Sequence, residues 1–80
     1  MSKIEIRSPL PGTFYRSSAP DAAPFKVDGD VVSSGDTIGL IEVMKTFQEV
    51  PAGVEGKALR FLIDNEEPVI AGQVIAEVEA

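Results

Sequence analysis

"IEVMKTF", residues 41–47, decides how this chain folds and what it does. β-prone residues stand on both sides of a two-residue centre, Met44-Lys45. Two central residues between strand-forming runs specify a tight hairpin, and the usual type I′ turn prefers Asn-Gly because both positions need positive φ. A residue with a Cβ in that region costs about 1–2 kcal/mol. Met-Lys offers no relief from that cost. A lysine at a turn tip is therefore either a solubility choice or a functional one.

The flanks of the hairpin set its context. Helix signals are weak, because Gly or Pro breaks every long apolar stripe. Short strand signals recur instead at Lys3–Arg7 (KIEIR), 12–16 (GTFYR), Thr37–Val43 (TIGLIEV), 47–50 (FQEV), 57–63 (KALRFLI) and 74–78 (VIAEV). Between them fall Ser8-Pro9, Pro11-Gly12, Asp28-Gly29-Asp30, Ser34-Gly35-Asp36, Pro51-Ala52-Gly53 and Ala71-Gly72-Gln73. This rhythm predicts a small all-β sandwich or barrel.

An internal repeat sharpens the picture. Residues 28–43 resemble 65–79 at an offset of 37, which puts Val32 on Val69, Gly35 on Gly72, Ile38 on Ile75 and Ile41 on Val78. Residues 6–15 resemble 50–59 at an offset of 44, which puts Ile6 on Val50 and Gly12 on Gly56. The first half therefore carries seven extra residues (44 against 37) between Tyr15 and Asp28. That interval holds Ser17-Ser18-Ala19-Pro20-Asp21-Ala22-Ala23-Pro24, which has no strand pattern and reads as a protruding loop. The Met44-Lys45 turn joins the two halves.

Composition removes whole classes of chemistry. The 80 residues suffice for one small domain. There is no cysteine, hence no disulfide and no thiolate nucleophile, and no histidine, the commonest metal ligand and neutral-pH acid–base group. A net charge of −6 without a basic run argues against nucleic acid and anionic membrane surfaces as partners. No signal-peptide pattern and no bilayer-length apolar stretch is present, so a cytoplasmic location is expected. Asp28, Asp30 and Asp36 lack the spacing of a calcium loop and read as turn formers. Gly12, Gly35, Gly56 and Gly72 read as turn residues, and Phe47 reads as core.

Glu42-Val43-Met44-Lys45 resembles the Glu-Ala-Met-Lys-Met biotin attachment motif of biotin carboxyl carrier domains. Residues 6–25 (IRSPLPGTFYRSSAPDAAPF) resemble the opening of the carrier subunit of bacterial-type acetyl-CoA carboxylase, where a Ser-Pro-x-x-Gly-Thr-Phe-Tyr run leads into a protruding thumb. Residues 27–32, 35–37 and 68–74 fit the same pattern, so the resemblance covers nearly the whole chain. It departs at Val43, where the family has Ala, and at Thr46, where the family has Met. Lipoyl domains share the fold and the lysine position, but usually carry Asp before the lysine and lack the thumb.

The resemblance implies a single domain over residues 1–80, with a thumb at about 17–24. It implies a flattened barrel-sandwich of two four-stranded antiparallel sheets related by a quasi-two-fold axis. It makes Lys45 the biotinylation site, through an amide, and the chain a non-catalytic carrier. Biotin protein ligase, biotin carboxylase and a carboxyltransferase become the expected partners. Met44 is then a recognition residue, Glu42 orients the tip or meets the ligase, and Val43 and Thr46 are the hairpin shoulders. Ser17 belongs to a thumb that contacts biotin or a partner enzyme. Acetyl-CoA is the first-choice acceptor; other acyl-CoAs, urea-like amides and 5-oxoproline remain open, because the carboxyltransferase chooses. A lipoyl-type carrier and an unmodified β-sandwich scaffold are the competing readings. The chain reads as an excised domain or a naturally short carrier, expected to be monomeric.

Overall fold

The computed structural model describes residues 2–19 and 21–80. Met1, and Pro20 within the expected thumb, lie outside the described residues. Among the described residues seven strands follow one another: β1 (Lys3–Arg7), β2 (Gly12–Tyr15), β3 (Thr37–Val43), β4 (Thr46–Pro51), β5 (Lys57–Phe61), β6 (Glu67–Val69) and β7 (Val74–Glu79). They form two antiparallel sheets, with strand orders β1-β7-β5 and β4-β3-β2-β6. The all-β architecture expected from the short alternating runs is what the chain adopts.

The repeat holds at the level of single residue pairs. In β1–β7, Ile4 faces Val78 and Ile6 faces Ala76; in β4–β3, Gln48 faces Ile41 and Val50 faces Gly39. Both ladders slip at the equivalent place, after Ile6 in one and between Thr37 and Gly39 in the other. Turn chemistry repeats as well. The Asp28 carboxylate accepts from the Phe61 amide at 3.0 Å, and the Asn65 side-chain oxygen accepts from the Arg16 amide at 2.8 Å. Asp36 accepts from the Ser33 amide at 2.9 Å, and Gln73 accepts from the Ile70 amide at 3.1 Å. Asp30 caps the Val27 amide in the same manner, at 2.9 Å. Asp30 and Asp36 close turns, each accepting from the amide three residues back, whereas Asp28 accepts from the β5 backbone 33 residues away. Among the described residues no group of three or more carboxylates is placed to hold a metal ion.

One detail of the expected architecture is corrected: the sheets have three and four strands, not four and four. The mate of β6 survives as a single bridge, Val32 with Gly56, equivalent to the Val69–Gly12 pair. The cause is a bulge. Between Lys57 and Arg60 the β5 strand carries one residue more than β7, and Ala58 there takes φ 55°. The Leu59 amide still donates to Asp30 at 3.0 Å, so the hydrogen bonds persist while the regular ladder does not.

Inward-facing residues from both sheets interdigitate. Phe14, Ile38, Ile41, Val50 and Val69 come from one sheet, and Ile6, Leu59, Ile75 and Val78 from the other. Burying each side chain of this size contributes about 1.5–3 kcal/mol, which is how so small a chain closes a core. Gly12 and Gly56 belong to this packing and not, as expected, to turns. A Cβ on Gly56 would stand 2.7 Å from the Glu79 carbonyl oxygen, and Gly12 meets the Glu42 carbonyl equivalently. Strand backbones cross too closely there for any side chain.

Candidate functional site

The hairpin between β3 and β4 projects Met44 and Lys45 with φ 51° and 66°. Both central residues thus adopt the positive φ that a two-residue type I′ connection requires, despite their Cβ atoms. Val43 and Thr46 close the turn as cross-strand partners, with Glu42 and Phe47 as the next pair. Met44 is 93% exposed, which leaves an apolar side chain in water. Lys45 is exposed, and among the described residues it joins no ion pair. Its amine is therefore accessible from solvent at the tip.

The two faces of the hairpin differ, because strand side chains alternate. On the inward face, Val43, Thr46 and Gln48 line an open groove with Met44, Leu10 and Pro11. Val43 is partly buried against the core, and Thr46 is exposed. On the outward face, Glu42 accepts a 3.0 Å hydrogen bond from the Tyr15 hydroxyl of β2. The Tyr15 ring packs against Phe47 of β4 with centroids 6.0 Å apart and planes tilted by 59°. The hydrogen bond to Glu42, followed by desolvation, holds the Tyr15 hydroxyl above its ordinary pKa. Phe47 is 56% exposed, so the expectation that it belongs to the core is corrected. It pairs with Glu42 on the outward face of the sheet.

The extra residues of the first half form a loop closed at its base by a bridge between Ser17 and Pro24. The Phe25 amide donates to the Arg16 carbonyl at 2.9 Å just below it. Arg16 anchors this base, its guanidinium 4.2 Å above the centre of the Phe61 ring. The Ser17 hydroxyl turns inward and donates to the Ala19 carbonyl at 2.9 Å. A cleft of about 280 Å³ lies between this loop and the hairpin, lined by Tyr15, Ser17, Ser18, Ala19, Phe47, Asn65 and Glu66. The structure thus gathers Glu42, Val43, Met44, Lys45 and Thr46 at one tip and sets Ser17 across a cleft from Phe47. Tyr15, Asn65 and Glu66 belong to the same region and were not singled out from sequence. Only a diagonal-neighbour argument across an already assigned β2–β3 register would have found Tyr15.

A protein family described as "biotin-requiring enzyme", covering biotin and lipoyl attachment, matches residues 4–80. The chain is 44% identical over 73 residues to the biotin carboxyl carrier protein of acetyl-CoA carboxylase from Chlamydia pneumoniae, covering 91% of this chain and 44% of that protein. It is 40% identical over 75 residues to the same-named protein of a Nostoc species, covering 94% of this chain and 41% of that protein. The chain thus spans less than half the length of these relatives. Among solved structures, Kluyveromyces lactis urea carboxylase superposes with a TM-score of 0.73 at 33% identity, over 98% of this chain and 6% of that one.

Proposed function

We propose a carrier function for this chain, which belongs to the biotin and lipoyl attachment family and resembles biotin carboxyl carrier proteins across nearly its whole length. Lys45 is the attachment site, joined to biotin through an amide on Nζ. The observation that carries this reading is the Met44-Lys45 turn. Two side-chain-bearing residues occupy positive φ at a fully exposed tip, where Asn-Gly would be less strained. The residues present fit a covalently held group. The amine is exposed and, among the described residues, joins no ion pair; the strands below it are registered to the tip, and a cleft lies beside β4.

Biotin supplies a ureido ring that takes up and gives up a carboxyl group. The chain's own residues hold and present it. β3 and β4 fix the direction of the Lys45 stem, while the lysine arm gives reach, so one tethered group serves two active sites at high effective concentration. Met44 offers an unburied apolar anchor to a modifying or receiving enzyme. Glu42, Val43 and Thr46 set the geometry of the tip. The Ser17 loop is the thumb, and the chain acts as a single domain. It is a non-catalytic subunit: it holds no histidine or cysteine, and the chemistry falls to its partners.

Those partners are a biotin protein ligase, a biotin carboxylase and a carboxyltransferase, with acetyl-CoA as acceptor and fatty acid synthesis as the destination, in the cytoplasm. Among the described residues no helix is long and apolar enough to cross a membrane. The test is co-expression with a biotin ligase plus biotin and, separately, with a lipoate ligase plus lipoate, followed by intact mass. A biotinyl adduct in the first and none in the second supports the proposal. The reverse pattern replaces it with a lipoyl carrier, and no adduct in either leaves a scaffold.

A further inference from the structure

We propose that Tyr15 is a positioning residue for the Lys45 turn, acting as a clamp that spans β2, β3 and β4 on the outward face. The inference rests on the reading of Lys45 as the modified residue. Tyr15 pairs directly with Leu40, and Glu42 pairs with Thr13, so Tyr15 and Glu42 are diagonal neighbours on one face. Phe47 is the cross-strand partner of Glu42. One side chain thus reaches both strands of the hairpin. Its hydroxyl donates to Glu42 at 3.0 Å, and its ring packs on Phe47 at 6.0 Å.

The clamp sits one residue pair below the turn, and the turn needs one. Met44 and Lys45 hold positive φ that their side chains disfavour, so a free hairpin end would fray into other turn conformations. Inside the hairpin, little resists this. β4 is an edge strand whose residues from Thr46 to Glu49 are all exposed, so the core does not grip it near the tip. The Glu42 carboxylate and the Tyr15 hydroxyl join by a hydrogen bond to a charged acceptor, the stronger kind. A ligase that recognises only the formed turn then meets a substrate already folded for it, and its apparent affinity scales with the fraction so folded.

The experiment compares wild type, Tyr15→Phe and Glu42→Gln as substrates of a biotin ligase, with thermal melting alongside. Backbone amide hydrogen exchange across residues 43–47 is measured on the same unmodified proteins. Tyr15→Phe keeps the ring and removes only the hydroxyl, so the fold survives. The expected result is an up to about tenfold rise in KM for the carrier with kcat retained, the span of a typical net hydrogen bond, since the partly solvent-exposed position of the pair weakens its charged character. Faster exchange at the hairpin amides accompanies it, while exchange in β1 and β7 stays unchanged. A fall in kcat at constant KM overturns the clamp, since that marks a direct contact in the ligase transition state. Unchanged KM and unchanged exchange overturn it as well. If wild type itself takes no biotin, the carrier reading fails, and the exchange comparison alone still decides whether Tyr15 holds the turn.

Discussion

A side chain on Gly12 would occupy the space that the Glu42 carbonyl oxygen fills. β2 and β3 cross there at backbone contact, directly beneath the strand that leads to Lys45. Gly12→Ala is therefore expected to destabilise the domain by about 1–3 kcal/mol, the range for overpacking a tight site. Gly35 has open space around its Cα and no positive φ, so Gly35→Ala is expected to be neutral or to stabilise by about 0.4–1 kcal/mol. Urea unfolding of the two variants checks both. Equal effects would show that the close approach at Gly12 is not what selects glycine.

Strain at the tip predicts a trade between stability and modification. Replacing Met44→Asn together with Lys45→Gly installs the residues that a type I′ turn prefers. Relief at two positions is expected to stabilise the domain by about 2 kcal/mol, roughly 8–16 °C in Tm for a domain of this size. The variant has no amine at the tip and takes no biotin. Differential scanning calorimetry reads the first effect and intact mass the second. A Tm below wild type would mean that Met44 packs productively against the inward groove.

Tyr15 is the sole tyrosine and there is no tryptophan, so its ionisation is readable by phenolate absorbance. The folded midpoint is expected above that of the denatured chain, because the phenol donates to Glu42 and is partly desolvated. Glu42→Gln lowers it toward the denatured value. A folded pKa above the unfolded one means the contribution to stability is complete below the unfolded pKa. It fades as pH rises through the folded value. Hairpin protection is therefore expected to weaken only in strongly alkaline solution.

Asp36 provides the acid-side counterpart. Its carboxyl is held below the usual aspartate value by the Ser33 amide first and by Lys26 second. A folded pKa below the unfolded one contributes stability above the unfolded value and loses it as pH falls through the folded one, a window lying at and below pH 3.8. Gln73 performs the same capping with a neutral amide, so Asp36→Asn is expected to keep the turn and lose only the 3.1 Å ion pair with Lys26. That loss is about 0–1 kcal/mol at neutral pH. Asp36→Ala loses the cap as well, about 1 kcal/mol more. Melting curves from neutral to acid pH separate the two, and the gap between wild type and Asp36→Asn closes at the acid end.

Much of this was legible in the chain because a repeat constrains more than a pattern does. Matching Ile6 with Val50 and Val32 with Val69 placed both halves of the core before any strand was paired. Other features were hidden for identifiable reasons. β6 is three residues long and contains Pro68, tolerable only because it is an edge strand. The missing eighth strand turns on Ala58 at positive φ, which alanine does not advertise. Phe47 read as core, yet its parity in β4 pairs it with Glu42 on the outward face. Tyr15 required the register of two ladders and the direction of two side chains. Local turn logic marked Lys45 as unusual and left solubility and function both open; its reading as an attachment site came from the resemblance of residues 42–45 to the biotin attachment motif.

The account stands on one residue among four lysines, Lys3, Lys26, Lys45 and Lys57. Peptide mapping of the protein after exhaustive treatment with biotin ligase, ATP and biotin tests it most directly, with Lys45→Arg in parallel. The account predicts one biotinyl group per chain, located on Lys45, and none on the arginine variant. Biotin on Lys3, Lys26 or Lys57, or retained by Lys45→Arg, would contradict it, because those lysines lie away from the hairpin whose strained turn the whole argument rests on.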